Sequence, residues 1–276
     1  MKHWLFLDEA IIAADKVLLT SLTPGYLAGR GVFETMRSYQ GKIFLTDRHL
    51  ARLFQGLAYF HIRPTYSRKK LKKLLHLLLR VNKLKEARIR LMVWREKGRV
   101  RTAIICLPYR SFSAAKYKKG FSAIILEASR RETAKPSYIK SVAYLPFLRA
   151  YLKAGARGYD EAILLDHQGF LTEASRSNIF YVKDGRLYTP HVSCGILNGI
   201  TRQMTMTLAR KMGVNTIQLK AKPEDLLQAD EAFLTNSLME LMPLTRIGGR
   251  RIGQGKTGSI TSRLLKKYRR LVKNIG

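Results

Sequence analysis

Apolar residues recur along this chain with two different periods. After Asp47, the residues Leu50, Leu53, Phe54 and Leu57 fall at helical spacing, which predicts a helix to about Phe60 with Asp47 as its N-cap. Ser67 opens a second predicted helix, whose apolar face is Leu71, Leu74, Leu75 and Leu78. Over residues 87–94 the period becomes two. Ile89, Leu91 and Val93 share one face; Arg88, Arg90, Met92 and Trp94 share the other, as in a half-buried strand. Residues 102–107 read as its partner strand, and residues 43–45 as a short strand after the Gly41 turn.

Beyond Pro108 the pattern lapses into a polar, basic stretch ending at Gly120, read as a linker over residues 113–120. Strands are then expected at 121–126, 161–165 and 230–234, with helices at 146–156, at 200–212 before Gly213, and from Ser259 onward. Asp166 to Gly169 reads as a turn, and Asp184-Gly185 as a hairpin tip. Helices and strands on both sides of the linker predict an α+β chain. Its domains would be a smaller one at 1–112 and a larger one at 121–276, with a site in the cleft between them.

Composition narrows the class. Hydrophobic residues make up 46% of the chain, enough for a substantial core, and no apolar run approaches the roughly 18 residues that span a bilayer. The first eight residues are too short and too soon interrupted by Asp8 for a signal peptide. Cys106 and Cys194 are far apart, and the six histidines show no paired spacing, so no metal site is expected and a cytoplasmic setting fits. The net charge of +32 raises the prospect of a nucleic-acid partner. The basic residues are nonetheless spread along the chain. Their densest runs, Arg68 to Lys73 and Lys266 to Arg270, lie on amphipathic helices whose solvated faces account for them, so neither a specific nucleic acid nor a membrane is expected. The run from Gly249 to Thr257 resembles a phosphate-binding loop, but five residues separate Gly249 from Gly255 where that motif needs four.

Four separated segments carry candidate chemistry. Lys140 stands in Ile139-Lys-Ser-Val-Ala-Tyr144, and burial among such neighbours would lower an amine's pKa and let it attack a carbonyl. Glu173, at a strand end, could hold a protonated ring nitrogen. Gly199-Ile200-Thr201 opens a helix whose free N–H groups suit a phosphate. The fourth segment is Thr235-Asn-Ser237-Leu-Met-Glu240. A Schiff-base lysine, an acid for the ring nitrogen and a phosphate cup are the parts a pyridoxal-phosphate (PLP) enzyme supplies. Each alone has an ordinary explanation as a surface lysine, a salt-bridge partner or a plain helix cap.

In this order the segments resemble the class IV aminotransferases, the fold-type IV PLP enzymes that include branched-chain and D-amino-acid aminotransferases and aminodeoxychorismate lyase. The likeness runs from Tyr26, through Phe33-Glu34-Thr35, to the last helix. It implies a two-domain fold like that of D-amino-acid aminotransferase, a small-molecule substrate and a homodimer. By the same resemblance Lys140, on the larger domain, carries PLP, Glu173 pairs with the ring nitrogen, and Arg52, Ile200, Thr201 and Ser237 bind the phosphate. Tyr144 then meets the phenolic oxygen. Ala143 departs from the pattern, since an asparagine is frequent there.

Three features resemble the lyase: the Gly31-to-Gly41 run with Phe44 to His49, the Thr-Asn-Ser turn, and the chain's length. The expected reaction converts 4-amino-4-deoxychorismate into 4-aminobenzoate, a folate precursor, and pyruvate. Phe33, Thr35 and Arg90 are candidate substrate contacts, Arg90 through a bidentate pair with a carboxylate. The alternative is transamination of branched-chain L-amino acids or D-amino acids with 2-oxoglutarate. A third reading is a non-catalytic nucleic-acid-binding protein, which leaves the order of the four segments unexplained.

Overall fold

The alternating segment predicted at 87–94 becomes a central strand of an antiparallel sheet in the computed structural model of the chain, which describes residues 3–14, 30–127, 136 and 139–274. Residues 26–29, the start of the family-like stretch, lie outside that description. The first unit extends to Arg110 and includes the segment ending at Tyr144. Its strands are β1 (Trp4–Leu7), β2 (Ala10–Ala13), β3 (Gly31–Tyr39), β4 (Lys42–Ile43), β5 (Ala87–Glu96) and β6 (Arg99–Pro108). They form one sheet in the order β2-β1-β6-β5-β3-β4. Helices α1 (Thr46–Tyr59) and α2 (Arg68–Val81) complete the unit.

The alternation sorts this sheet into two faces. Ile89, Leu91 and Val93 join Val32 and Met36 under Leu50, Leu53, Leu57, Leu71, Leu75 and Leu78 of the helices. Each fully buried leucine contributes about 1.5–3 kcal/mol. Phe33, Met92 and Trp94 form a second cluster with Ala103 and Val142. Ser67 caps α2 by accepting from Lys70 N–H at 3.2 Å. Asp47 does not cap α1: the cap position is Leu45, in the left-handed region at φ 52°, and Asp47 lies in the first turn. Thr46 closes this entry by donating to Ile43 O at 3.0 Å.

The segment around Lys140, expected on the larger domain from its place in 121–276, instead belongs to the first unit, because its backbone pairs with β3. Phe33 N–H donates to Lys140 O at 2.9 Å, Val142 N–H donates to Gly31 O at 3.1 Å, and Ser141 forms an isolated bridge with Val32.

The second unit starts at Ser111, resumes at Leu145 and runs to Asn274. Part of the stretch read as a linker is a short helix, α3 (Ala114–Lys119). Ser113 caps it, and its buried Tyr117 donates to Met239 O at 2.9 Å, so local capping and one apolar anchor outweigh the polar composition. Then come β7 (Phe121–Glu127), α4 (Leu145–Ala156), β8 (Glu161–Leu165), β9 (Leu171–Ala174), β10 (Asn178–Lys183) and β11 (Arg186–Pro190). After them follow α5 (Ile200–Lys211), β12 (Thr216–Leu219), α6 (Pro223–Leu227), β13 (Glu231–Asn236), β14 (Glu240–Ile247), β15 (Arg250–Arg251) and α7 (Ser259–Lys273). The sheet order is β12-β11-β10-β13-β14-β7-β8-β9, with β15 on β14, and the β14/β7, β7/β8 and β11/β12 pairs are parallel. Asp184 and Gly185, both at positive φ, make the predicted tip between β10 and β11. The glycine-rich run at 248–258 turns around β15 and leads into α7, whose first N–H groups are taken by Glu231, from Ile260 at 2.9 Å and Thr261 at 2.8 Å. That helix start is filled by the chain's own carboxylate, which disposes of the phosphate-loop likeness. Among the described residues no helix is long and apolar enough to cross a membrane.

Candidate active site

In the first unit, the strand period decides which side chains meet. Phe33 and Thr35 point to the face opposite the helices, and the β3/β5 register sets Thr35 across from Arg90 and Phe33 across from Met92. The Arg90 guanidinium lies 4.2 Å from the Phe33 ring centre, and Lys140 Nζ lies 4.6 Å from the same ring. Tyr144 meets Phe33 edge-on, with centroids 5.8 Å apart, and its own ring is 5.8 Å from Lys140 Nζ. An aromatic face holds a cation without neutralising it. Lys140, Tyr144, Phe33, Thr35 and Arg90 are thus brought together.

Arg52 belongs to the helix face of β3. Its Nε donates to Glu34 Oε1 and its Nη2 to Glu34 Oε2, both at 2.7 Å, and His49 Nδ1 is 2.7 Å from Oε2. All three residues are buried, Glu34 completely. Burial alone would raise the Glu34 carboxyl, but the Arg52 charge, the hydrogen bonds of Arg52 and His49 and, in acid, the protonated His49 ring outweigh it and hold it at about 2. Burial keeps His49 below its ordinary value despite Glu34, so the ring is neutral near pH 7 and its Nδ1–H donates to the carboxylate. Glu34 and His49 had no assigned role in the sequence. Their signal was an acid flanked by apolar strand positions and a histidine one helical turn from Arg52.

In the second unit, strand ends and turns place the groups. Glu173, near the end of β9, accepts at Oε2 from Asn178 Nδ2 and from Leu197 N–H, both at 3.1 Å. Asn178 Nδ2 also donates to Leu197 O at 2.7 Å. Its Oδ1 lies so near Gly199 that a Cβ there would overlap it, which explains a glycine at this cap. Gly199 caps α5 with no side-chain hydrogen bond, and Ile200 and Thr201 form the first turn. Arg202, which sequence reasoning passed over, is buried in the same turn. Its guanidinium donates to Asn198 Oδ1 at 3.1 Å, Pro190 O at 3.0 Å and Gln218 Oε1 at 2.6 Å. Burial lowers its pKa to about 10 against the opposing pull of Glu173, so it stays a cation at neutral pH. Ser237 follows Asn236 at the β13–β14 turn. Beside it, Thr235 Oγ1 is buried with no hydrogen-bond partner among the described residues. Those residues hold no cluster of His, Cys, Asp or Glu suited to a metal.

These groups can be tested against a cofactor. An amine over an aromatic ring can condense with an aldehyde. A carboxylate near a buried cation can accept from a ring N–H, and a helix start without a side-chain cap can bind a phosphate. Pyridoxal phosphate carries the aldehyde, the ring nitrogen and the phosphate, so the donor set fits it.

Comparison with known proteins agrees. The family model for amino-transferase class IV matches residues 31–247. A putative branched-chain-amino-acid aminotransferase of Methanocaldococcus jannaschii is 34% identical over 96% of this chain and 95% of its own length. The aminodeoxychorismate lyase of Bacillus subtilis is also 34% identical, over 98% and 95%. The solved branched-chain aminotransferase of Thermoproteus uzoniensis superposes with a TM-score of 0.89 at 30% identity, covering 99% of this chain and 95% of that one. Fold and donor set therefore define a PLP-dependent enzyme of fold type IV. Within that class, the chain belongs to the class IV aminotransferase family.

Proposed function

We propose that this enzyme is a lyase that converts 4-amino-4-deoxychorismate into 4-aminobenzoate and pyruvate. The observation that carries the reading is the Thr235-Asn236-Ser237 turn, which resembles the lyase pattern. Asn236 Oδ1 accepts from Leu238 N–H and Met239 N–H, both at 2.9 Å, so the asparagine folds the turn on which Ser237 stands. The Bacillus subtilis relative is called a lyase and matches nearly the whole chain.

When bound, PLP supplies an aldehyde for the substrate amine and a cationic ring that takes up negative charge. Lys140 holds the cofactor and, once displaced, its Nζ removes the proton from the carbon bearing the amine. A proton returned to the enolpyruvyl methylene lets pyruvate leave and the carbocycle become aromatic. Glu173 holds the proton on the ring nitrogen. Ile200, Thr201, Ser237 and Arg52 bind the phosphate, with Glu34 fixing the Arg52 side chain, and Tyr144 meets the phenolic oxygen. Arg90, beside Thr35 and over Phe33, takes a substrate carboxylate.

The second reading, transamination, is favoured by the branched-chain relatives and uses the same residues. A paired assay on PLP-loaded protein separates the two. One arm generates aminodeoxychorismate in place and follows 4-aminobenzoate; the other offers L- and D-amino acids with 2-oxoglutarate. Release of 4-aminobenzoate with negligible transamination is expected. Transamination alone would overturn the lyase reading and leave the cofactor roles standing.

A further inference from the structure

The turn after Glu173 is gripped from two sides. Ala174 and Ser177 close it by an isolated bridge, Ala174 N–H donating to Ser177 O at 2.7 Å. On one side is the Glu161 carboxylate of β8, only 1% exposed. It accepts from Ser175 Oγ, from Ser177 Oγ at 3.4 Å and from Ala162 N–H at 3.0 Å, while Ser175 N–H donates to Ala162 O at 2.8 Å. On the other side Asn236 Nδ2 donates to Arg176 O at 3.1 Å. Asn236 therefore uses its two ends differently: Oδ1 folds its own turn, and Nδ2 holds the neighbouring one. Asn178, which leaves the gripped turn, bonds Glu173 directly.

We propose that Asn236 is a positioning residue for Glu173. Through Arg176 O it locks the Ala174–Ser177 turn against the Glu161 support, so that the Glu173 carboxylate and the Ser237 hydroxyl are set by one side chain. The asparagine of the Thr-Asn-Ser signature then serves as the tie between ring-nitrogen acid and phosphate-side turn. The inference rests on the reading that Glu173 pairs with the cofactor ring.

Asn236→Asp separates the two ends. A carboxylate still accepts from Leu238 and Met239 N–H but cannot donate to Arg176 O. With PLP-saturated protein, in whichever of the two assays shows turnover, this variant is expected to lose about tenfold in kcat, with KM little changed. The pH midpoint of the cofactor's visible band should move, while the thermal midpoint stays near that of the parent. Asn236→Ala, which loses both ends, should lose at least as much in kcat and, with the Ser237 turn loosened, bind PLP more weakly than Asn236→Asp. In a Glu173→Gln background Asn236→Asp should cost less than about twofold, because the group that the Nδ2 tie positions is already disabled. Parent-like kcat and band midpoint in Asn236→Asp would overturn the proposal. So would equal losses in both backgrounds, which would mean that Asn236 acts independently of Glu173. Full turnover by Glu173→Gln alone would instead remove the underlying reading, a result distinguishable from both.

Discussion

Glu34 and Glu173 are both carboxylates of the proposed site, yet the chain holds them by different means. Glu34 stands within a regular strand and is sealed under α1, and both its partners come from adjacent turns of that helix. Glu173 stands near a strand end and takes its hydrogen bonds from Asn178 and the backbone of Leu197, in segments that are neither helix nor mid-strand. The first arrangement is an ion pair out of water, strong only because geometry and burial are both satisfied. The second takes neutral donors aimed by turns, with the buried Arg202 cation close enough to feel the carboxylate. On the proposed roles, Glu34 has to fix the arginine that binds the phosphate, and the rigid form serves that task. Glu173, proposed to hold the ring proton through a reaction cycle, is served by the turn-built one.

The largest expected effect lies outside this contrast and tests the site as a whole. Lys140→Ala should abolish the visible band of the lysine-linked cofactor and lower turnover by at least about a thousandfold, since the proposed role gives this lysine both covalent attachment and proton transfer. Absorbance at saturating PLP checks it, and a surviving band would remove Lys140 from its role.

Glu34→Gln breaks the rigid half. Removing one partner of a buried pair leaves an unpaired cation and should cost about 3–5 kcal/mol, read from the urea midpoint. The pH dependence gives the same magnitude independently. The folded-state pKa of Glu34 is depressed, from an ordinary 4.5 to about 2, so its contribution is complete above about 4.5 and is lost as the pH falls towards about 2. The 2.5-unit depression corresponds to about 3 kcal/mol. His49, held neutral by burial, adds a loss in the same direction once the pH drops below about 6.5. Between pH 5 and pH 3 the parent should therefore lose more stability than Glu34→Gln. Equal slopes would show that the pair contributes no such linkage.

Gly199→Ala probes the turn-built half. At φ −63° the backbone suits alanine, so the effect is steric: the new Cβ overlaps Asn178 Oδ1 and pushes away the amide that bonds Glu173. About tenfold weaker PLP binding and a similar loss in kcat are expected, with the urea midpoint lowered by only about 1 kcal/mol. A loss of stability as large as that of Glu34→Gln would mean that the two halves are held alike.

The same division explains what the sequence revealed. Alternation at Ile89, Leu91 and Val93 exposed the first sheet and both its faces, because a strand's period is written in its residues. The order of Lys140, Glu173, Thr201 and Ser237 exposed the chemistry by resemblance. Hidden from view were contacts made across many residues by single polar side chains. Asn236 to Arg176, Glu161 to Ser175, and Lys140 O to Phe33 have no local period. The short helix α3 was likewise masked by its basic composition, although Ser113 offered a cap.

Asp47 gives the smallest effect and the sharpest control on Glu34. It too pairs with a cation, Lys72 Nζ at 2.8 Å, but its side chain is 78% exposed, and an exposed pair is worth little against solvent screening and side-chain entropy. Sequence pattern made Asp47 the cap of α1, whereas the structure puts it inside the first turn, where only its charge acts on the helix. The two roles predict different outcomes for Asp47→Asn. A cap would survive the change, because asparagine caps as well as aspartate, and Asp47→Ala would then cost about 1 kcal/mol more than Asp47→Asn. A first-turn charge is lost equally in both variants, so each should fall by the same amount, about 0.5 kcal/mol, and the loss should fade as salt is added. Urea midpoints at low and high salt decide between them. Matching, salt-sensitive losses would show that Asp47 acts only as a first-turn charge, worth far less than the buried Glu34 pair.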